Sequence, residues 1–134
     1  MTTANSPPSP CILAIEPDTD LREVITLSLK TLTQWAIVPA SSGREGLELA
    51  RTLHPDVILL DLNVRDVTTF ARLKADPQTE SLPVIALVPR LLAGDRVQLS
   101  EQGFAGAIAL PLDTSTLHEA IAAIMDWPPF STNP

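Results

Sequence analysis

The sequence predicts a single α/β domain in which helices cover both faces of a parallel sheet. Five short apolar runs recur along the chain, and they are nearly continuous rather than alternating, as expected for strands buried on both faces. Segments with helix-start residues or helical periodicity lie between several of them. Five β–α units in succession imply a doubly wound sheet with right-handed crossovers. The 134 residues, 45% of them hydrophobic, suffice for one domain with a substantial core.

The five apolar runs give the predicted strands in chain order. The predicted strands are 11–15, 35–40, 57–60, 84–88 and 106–110.

Three helices are predicted from start signals and periodicity. Asp20 and Glu23 have the spacing of a capping box before "VITLSLKTL", and Ser42 and Glu45 have it before "GLELARTL". The last helix is predicted over 113–125, because its apolar residues follow the i, i+3, i+4, i+7 spacing of one buried helix face after the polar start "DTST". Those residues are Leu117, Ala120, Ile121 and Ile124.

The two ends of the chain differ in composition from the body. Residues 1–10, rich in Pro, Ser and Thr, are predicted to be a flexible lead-in to a domain over 11–125. Residues 126–134 are predicted to form a tail, in which Trp127 and Phe130 either fold back on the domain or anchor a partner. Because the chain ends soon after the last helix, we expect a stand-alone domain.

Net charge, targeting signals and cysteine content indicate which classes of partner and which compartment to expect. The net charge is −7, so the basic surface that a nucleic-acid binder needs is not expected. The sequence contains neither a signal peptide nor an apolar run of about 18 residues, and we therefore expect no membrane insertion. A lone Cys11 in an apolar run fits a reducing compartment, which predicts a cytoplasmic protein.

Three acidic residues follow predicted strands. Asp61 comes directly after the third strand, while Glu16 and Asp18 follow the first. Ligands of open α/β sheets bind at the carboxyl ends of the strands, where clustered carboxylates suit Mg²⁺ or an Asp nucleophile in phosphoryl transfer. The spacing fits an alternative equally well: acidic residues often follow a buried strand because the chain becomes solvent-exposed there, or because they cap the next helix.

The sequence resembles the receiver domains of response regulators in two-component signalling. The resemblance covers about residues 11–125 and is carried by "ILAIEPDTDLREVI", "HPDVILLDL", "LKADPQTESLPVIALV" and "GFAGAIALP". It implies a flavodoxin-like sheet of order 2-1-3-4-5, with Asp61 as the phosphoacceptor. It also implies that Glu16 is the first acid of a Mg²⁺-binding pair and that Pro111 is the proline after the fifth strand.

Four positions depart from the pattern of that family. Pro17 stands where the family has a second metal-binding acid, and Val88 where it has a switch hydroxyl. Ala107 replaces the switch aromatic, and Leu110 replaces the lysine that pairs with the phosphoryl group. We expect weakened Mg²⁺ binding and slow, short-lived or absent phosphorylation.

Other residues are candidates to compensate for these losses. Asp18 can substitute for the missing metal ligand if its loop shifts. Arg65 or Arg90 can bring a guanidinium to phosphoryl oxygens, and the alternative for both is a solvated loop arginine.

The resemblance favours a signalling module and not an enzyme. Asn63 stands where a haloacid-dehalogenase-type phosphatase would have its second Asp, and the first strand is not followed by the Gly-rich turn of a dinucleotide site. The first hypothesis is a module that acts by protein contact with weak or no phosphorylation switching. The alternative is a phosphorelay receiver that accepts a phosphoryl group on Asp61. The implied partner is a histidine kinase or a downstream signalling protein, and a homodimer through the fourth helix, fifth strand and fifth helix is a further expectation.

Overall fold

Five strands alternate with five helices in a computed structural model that describes residues 9–62, 68–109 and 115–128. The elements, in chain order, are β1 Cys11–Ile15, α1 Thr19–Leu32, β2 Ala36–Ala40, α2 Gly43–Leu53, β3 Val57–Asp61, α3 Thr69–Ala75, β4 Val84–Val88, α4 Asp95–Gln102, β5 Gly106–Ala109 and α5 Leu117–Met125.

The strands form one parallel sheet in the order β2-β1-β3-β4-β5, which confirms the predicted fold class and strand order. Successive strand residues point to opposite faces, so each strand supplies both cores. Ile12 and Ala14 join the core under α1 and α5, whereas Leu13 and Ile15 join the core under α2, α3 and α4. The continuous apolar runs therefore arise from burial on both faces.

The start of α1 differs from the prediction. The helix begins at Thr19, and its cap is Asp18, whose carboxylate accepts a hydrogen bond from the Leu21 backbone N–H at 2.9 Å. The predicted Asp20–Glu23 cap is wrong because Asp18 already satisfies a free N–H of the first turn. In α2, by contrast, half of the predicted capping box is confirmed: the Ser42 hydroxyl accepts from the Glu45 N–H at 3.1 Å. The Glu45 carboxylate accepts from the Ser41 N–H at 2.7 Å and not from that of Ser42.

The chain after β5 was predicted less accurately. The strand ends at Ala109 among the described residues, and α5 begins at Leu117, four residues later than predicted. The 3.6-residue apolar pattern located the body of α5, while Ser115 and Thr116, which were assigned to the helix, precede it. Residues 113–114 of the predicted helix lie outside the described residues. Leu110 and Pro111 lie outside the described residues.

The chain folds back on the domain directly after α5. Asp126 ends the helix in a left-handed conformation, and Trp127 is then buried with its ring edge-on to Trp35, the ring centroids 5.4 Å apart. Phe130 lies outside the described residues. No helix in the described part of the chain is long and apolar enough to cross a membrane.

Gly46 allows α2 to approach the sheet closely. A Cβ atom at this position would lie 2.4 Å from Cδ1 and 2.6 Å from Cγ1 of Ile15. We expect Gly46→Ala to lower the free energy of unfolding by about 1 to 3 kcal/mol, because the overpacking outweighs the better helix propensity of Ala. Denaturant unfolding measures the change, and Thr52→Ala on the exposed side of α2 is the control. A more stable Gly46→Ala variant would contradict this packing.

Candidate functional site

The strand register places Glu16 and Asp61 side by side at the carboxyl edge of the sheet. Ile15 of β1 pairs with Leu60 of β3, so the residues that follow them are level with each other. The Glu16 backbone N–H donates to the Ala40 carbonyl on β2 at 2.9 Å, which extends the pairing of β1 by one residue. The two acids predicted at neighbouring strand ends are therefore held together by the sheet.

Both carboxyl groups are buried. Glu16 is 1% exposed and Asp61 is 5% exposed. One oxygen of Glu16, Oε2, accepts a hydrogen bond from the Asp18 backbone N–H at 3.1 Å. The other, Oε1, is buried without a hydrogen-bond partner among the described residues when Glu16 is written as a carboxylate. A proton on Glu16 would satisfy this oxygen by donating to Asp61.

The pKa of Glu16 reflects this environment. Burial, the side-chain hydrogen bond to Asp61 and the negative charge of Asp61 together raise the pKa of Glu16 to about 8, against the lowering effect of the Asp18 N–H. Two carboxylates in contact cannot both ionise readily, because each charge disfavours the other. Glu16 therefore keeps its proton at neutral pH.

Asp18 is exposed and is engaged elsewhere. Its carboxylate caps α1 through the Leu21 N–H, so binding a metal ion through the same oxygen would compete with the cap. The loop that contains it is also held by Arg22, whose guanidinium donates to the carbonyls of Glu16 at 2.8 Å and Pro17 at 3.2 Å. This role of Arg22 was not predicted from the sequence. The sequence shows only a long cationic side chain near the start of α1.

The neighbouring strands place apolar side chains at two of the four departing positions. Val88 ends β4 and is 9% exposed, and it packs in the same core as Ala107 of β5. The Ala107 carbonyl accepts a hydrogen bond from the Arg96 guanidinium at 2.9 Å, which links α4 to β5. Val88 thus presents methyl groups at the position where the family resemblance implies a switch hydroxyl.

Of the two candidate arginines, Arg90 lies within the described residues. Arg90 is exposed in the segment after β4 and lines a cavity of about 300 Å³ with Leu62, Val88 and Leu99. Arg65 lies outside the described residues, as do Leu110 and Pro111.

The described residues do not provide a full set of metal ligands. They contribute the carboxylates of Glu16 and Asp61, Pro17 has no side-chain oxygen, and no cluster of three or more His, Cys, Asp or Glu occurs within the described ranges. Mg²⁺ prefers near-octahedral oxygen coordination. The fit is therefore partial, and we assign no chemical step to a metal ion.

The sequence of this chain matches the response regulator receiver domain family over residues 12–122. The chain belongs to this family. Receiver domains are signalling modules, and this receiver domain has the five-stranded fold and the acidic pair at the sheet edge that its sequence predicted.

Two relatives illustrate the range of proteins that this receiver domain resembles. The transcriptional regulatory protein AfsQ1 of Streptomyces coelicolor is 32% identical over 116 residues, covering 87% of this chain and 51% of AfsQ1, so the chain spans about half the length of that relative. The polar-differentiation response regulator DivK of Brucella ovis is 28% identical over 111 residues, covering 81% of this chain and 90% of DivK.

Solved structures support the same fold. A response regulator from Desulfuromonas acetoxidans superposes with a TM-score of 0.77 at 27% identity, covering 87% of this chain and 97% of that one. The receiver domain of the sensor histidine kinase PA1611 from Pseudomonas aeruginosa superposes with a TM-score of 0.73 over 88% of this chain and 98% of that one. That structure contains a magnesium ion in the active-site cleft, and at 21% identity the likeness shows the fold alone.

Proposed function

We propose that this receiver domain signals by contact with a partner protein and that phosphorylation of Asp61 contributes little or nothing to its switching. The observation that carries the proposal is the buried Glu16–Asp61 pair, in which the raised pKa of Glu16 retains a proton at neutral pH. A metal ion must displace this proton to bind both carboxylates. Pro17 supplies no compensating oxygen, so Mg²⁺ binding is weak.

The same pair opposes a phosphoryl group. An aspartyl phosphate on Asp61 would place new negative charge beside Glu16, and two unit charges 4 Å apart repel by about 4 kcal/mol at an effective dielectric of 20, so Glu16 could not ionise beside it without a nearby cation. Cations normally offset this cost. Leu110 stands where the family has its lysine, and Val88 cannot donate a hydrogen bond to the phosphoryl oxygens.

A second candidate function is a phosphorelay receiver that accepts a phosphoryl group on Asp61. It is favoured by the retention of an Asp at the end of β3 and an acid beside it. In that case Asp18, Arg65 or Arg90 must supply the missing interactions.

Intact-mass measurement after incubation with acetyl phosphate and Mg²⁺ separates the two candidates. We expect no gain of a phosphoryl group at pH 7 in the wild type, while a receiver domain with the complete set of site residues gains one under the same conditions. A gain in the wild type that is absent in Asp61→Asn would establish Asp61 as a working acceptor and overturn the proposal.

The partner contact that we propose involves α4, β5 and α5. Leu92, just before α4, and Val97 within it are 60% and 63% exposed, whereas Leu91 and Leu99 pack partly against the core. These two exposed apolar side chains support a protein contact, either with a second copy of the chain or with a different signalling protein, although α1 exposes two of its own, Val24 and Leu27. The acidic composition after Arg96 argues against nucleic acid as the partner.

A further inference from the structure

A groove between α2 and α3 concentrates positive charge on an otherwise acidic protein. It encloses about 630 Å³, and its lining includes Arg44, Leu47, Glu48 and Arg51 of α2 together with Arg72 of α3 and Asp76 directly after it. It lies on the side of the sheet that faces α2 and α3, away from the helices α1 and α5. Neither candidate function described above uses it.

The spacing of the α2 residues places them on one helix face. Arg44, Leu47 and Arg51 are related by i, i+3 and i+7, so they line the groove along two turns. Arg44 and Arg51 are therefore separated by about 10 Å along the helix axis. Arg72 contributes a third guanidinium from the opposite wall.

Of the three arginines that line the groove, Arg51 has a carboxylate partner. Arg51 pairs with Asp76, which also accepts a hydrogen bond from the Gln78 backbone N–H at 2.9 Å. These two bonds hold the pKa of Asp76 below its ordinary value, so the carboxylate stays charged and neutralises Arg51. Arg44 and Arg72 are exposed and donate no hydrogen bond within the described ranges.

The net charge of the groove is opposite in sign to that of the whole chain. Three of the nine Lys and Arg residues line the groove and only two of the sixteen Asp and Glu, which gives it a net charge of +1 in a chain of net charge −7. Like charges elsewhere on the surface repel an acidic partner, so such a partner is directed to this groove.

We propose that the groove docks an acidic segment of a partner protein, with Arg44 and Arg72 binding its carboxylates. Guanidinium groups bind carboxylates through two parallel hydrogen bonds, which suits two exposed arginines on facing walls. The inference rests on the proposed function of signalling through protein contact, and it adds a second contact surface and the chemistry of its ligand.

The test uses fluorescein-labelled hexaglutamate as the probe, with fluorescence anisotropy at low ionic strength. We expect Arg44→Ala and Arg72→Ala each to weaken binding at least fivefold. Lys30→Ala, which removes one exposed positive charge from α1, is the matched control and is expected to change binding less than twofold. Circular dichroism establishes that each variant is folded.

Several outcomes would overturn the proposal. Equal losses in all three variants, or equal affinity for hexaglutamine, would mean that the groove has no specific role. Equally tight, arginine-dependent binding of a hexathymidylate would assign it to nucleic acid. Self-association that depends on Arg44 and Arg72, seen by sedimentation without hexaglutamate binding, would assign it to a second copy of the chain.

The same measurement on Asp61→Asn separates this inference from the proposed function. We expect Asp61→Asn to bind hexaglutamate as the wild type does, because the groove shares no residue with the acidic pair. That result supports the groove even if the wild type proves to be phosphorylated. Loss of binding in Asp61→Asn would contradict an independent docking site.

Discussion

Replacing Glu16 with Gln is expected to remove much of the loss of stability that the wild type shows between pH 5 and pH 8. The pKa of Glu16 is raised by burial and by Asp61 to about 8 in the folded protein, from an ordinary value of 4.5. Between these values the folded state holds a proton that the unfolded state has released. The free energy of unfolding must then fall as the pH rises.

The sign and size of this effect follow from the proton balance. The contribution of protonated Glu16 is fully present below pH 4.5 and is lost as the pH rises through about 8. Each pH unit within that window costs about 1.4 kcal/mol per proton, so a difference of about 2 to 3 kcal/mol is expected between pH 5 and pH 7. Gln is neutral at every pH and can still donate to Asp61.

Urea unfolding of the wild type and Glu16→Gln at several pH values, in the presence of a chelator, measures this difference. The control is Glu23→Gln, which changes an exposed glutamate of α1. We expect the unfolding free energy of the control to depend on pH as that of the wild type does. In Glu16→Gln the dependence should be weaker by the equivalent of about one proton. Parallel curves for the wild type and Glu16→Gln would show that Glu16 ionises at an ordinary pH.

The second large effect concerns Pro17. We expect Pro17→Asp to raise the affinity for Mg²⁺ at least tenfold, because it adds a carboxylate next to Glu16 and completes a group of three acids with Asp61. Pro17 is exposed and its carbonyl is already held by Arg22, so the substitution leaves the core intact.

Isothermal titration calorimetry with MgCl₂ at pH 8 measures the change in affinity. Pro128→Asp, which adds the same charge at an exposed proline after α5, is the control and is expected to bind Mg²⁺ as the wild type does. Both the wild type and Pro17→Asp should bind Mg²⁺ more weakly at pH 6, since the ion must then displace the Glu16 proton. Equal affinities in Pro17→Asp and Pro128→Asp would mean that the missing acid does not limit metal binding.

The strands were predictable from local pattern, and the position of Glu16 beside Asp61 was predictable once the family resemblance gave the strand order. Apolar runs such as 57–60 are continuous only when both faces of a strand are buried. Parallel pairing then brings the residues after neighbouring strands together, which placed Glu16 beside Asp61. The strand order itself came from the family resemblance.

Features that depend on competing contacts were not predictable. Asp20 had the spacing of a cap, but Asp18 reaches the first turn of α1 instead. The tie between Arg22 and the carbonyl of Glu16 depends on the path of the loop, which no periodicity encodes. The groove between α2 and α3 unites Arg44 and Arg72, which are far apart in sequence, so its charge was hidden in a chain of negative net charge.

The most direct test of the account is the titration of the Glu16 side-chain carboxyl carbon by NMR, in the absence of metal ions. We expect a midpoint near pH 8, which would show that Glu16 retains a proton at neutral pH. A midpoint near 4.5 would contradict it. Both carboxylates would then be charged and open to a cation at neutral pH, and the main physical argument against a phosphorylated Asp61 would be lost.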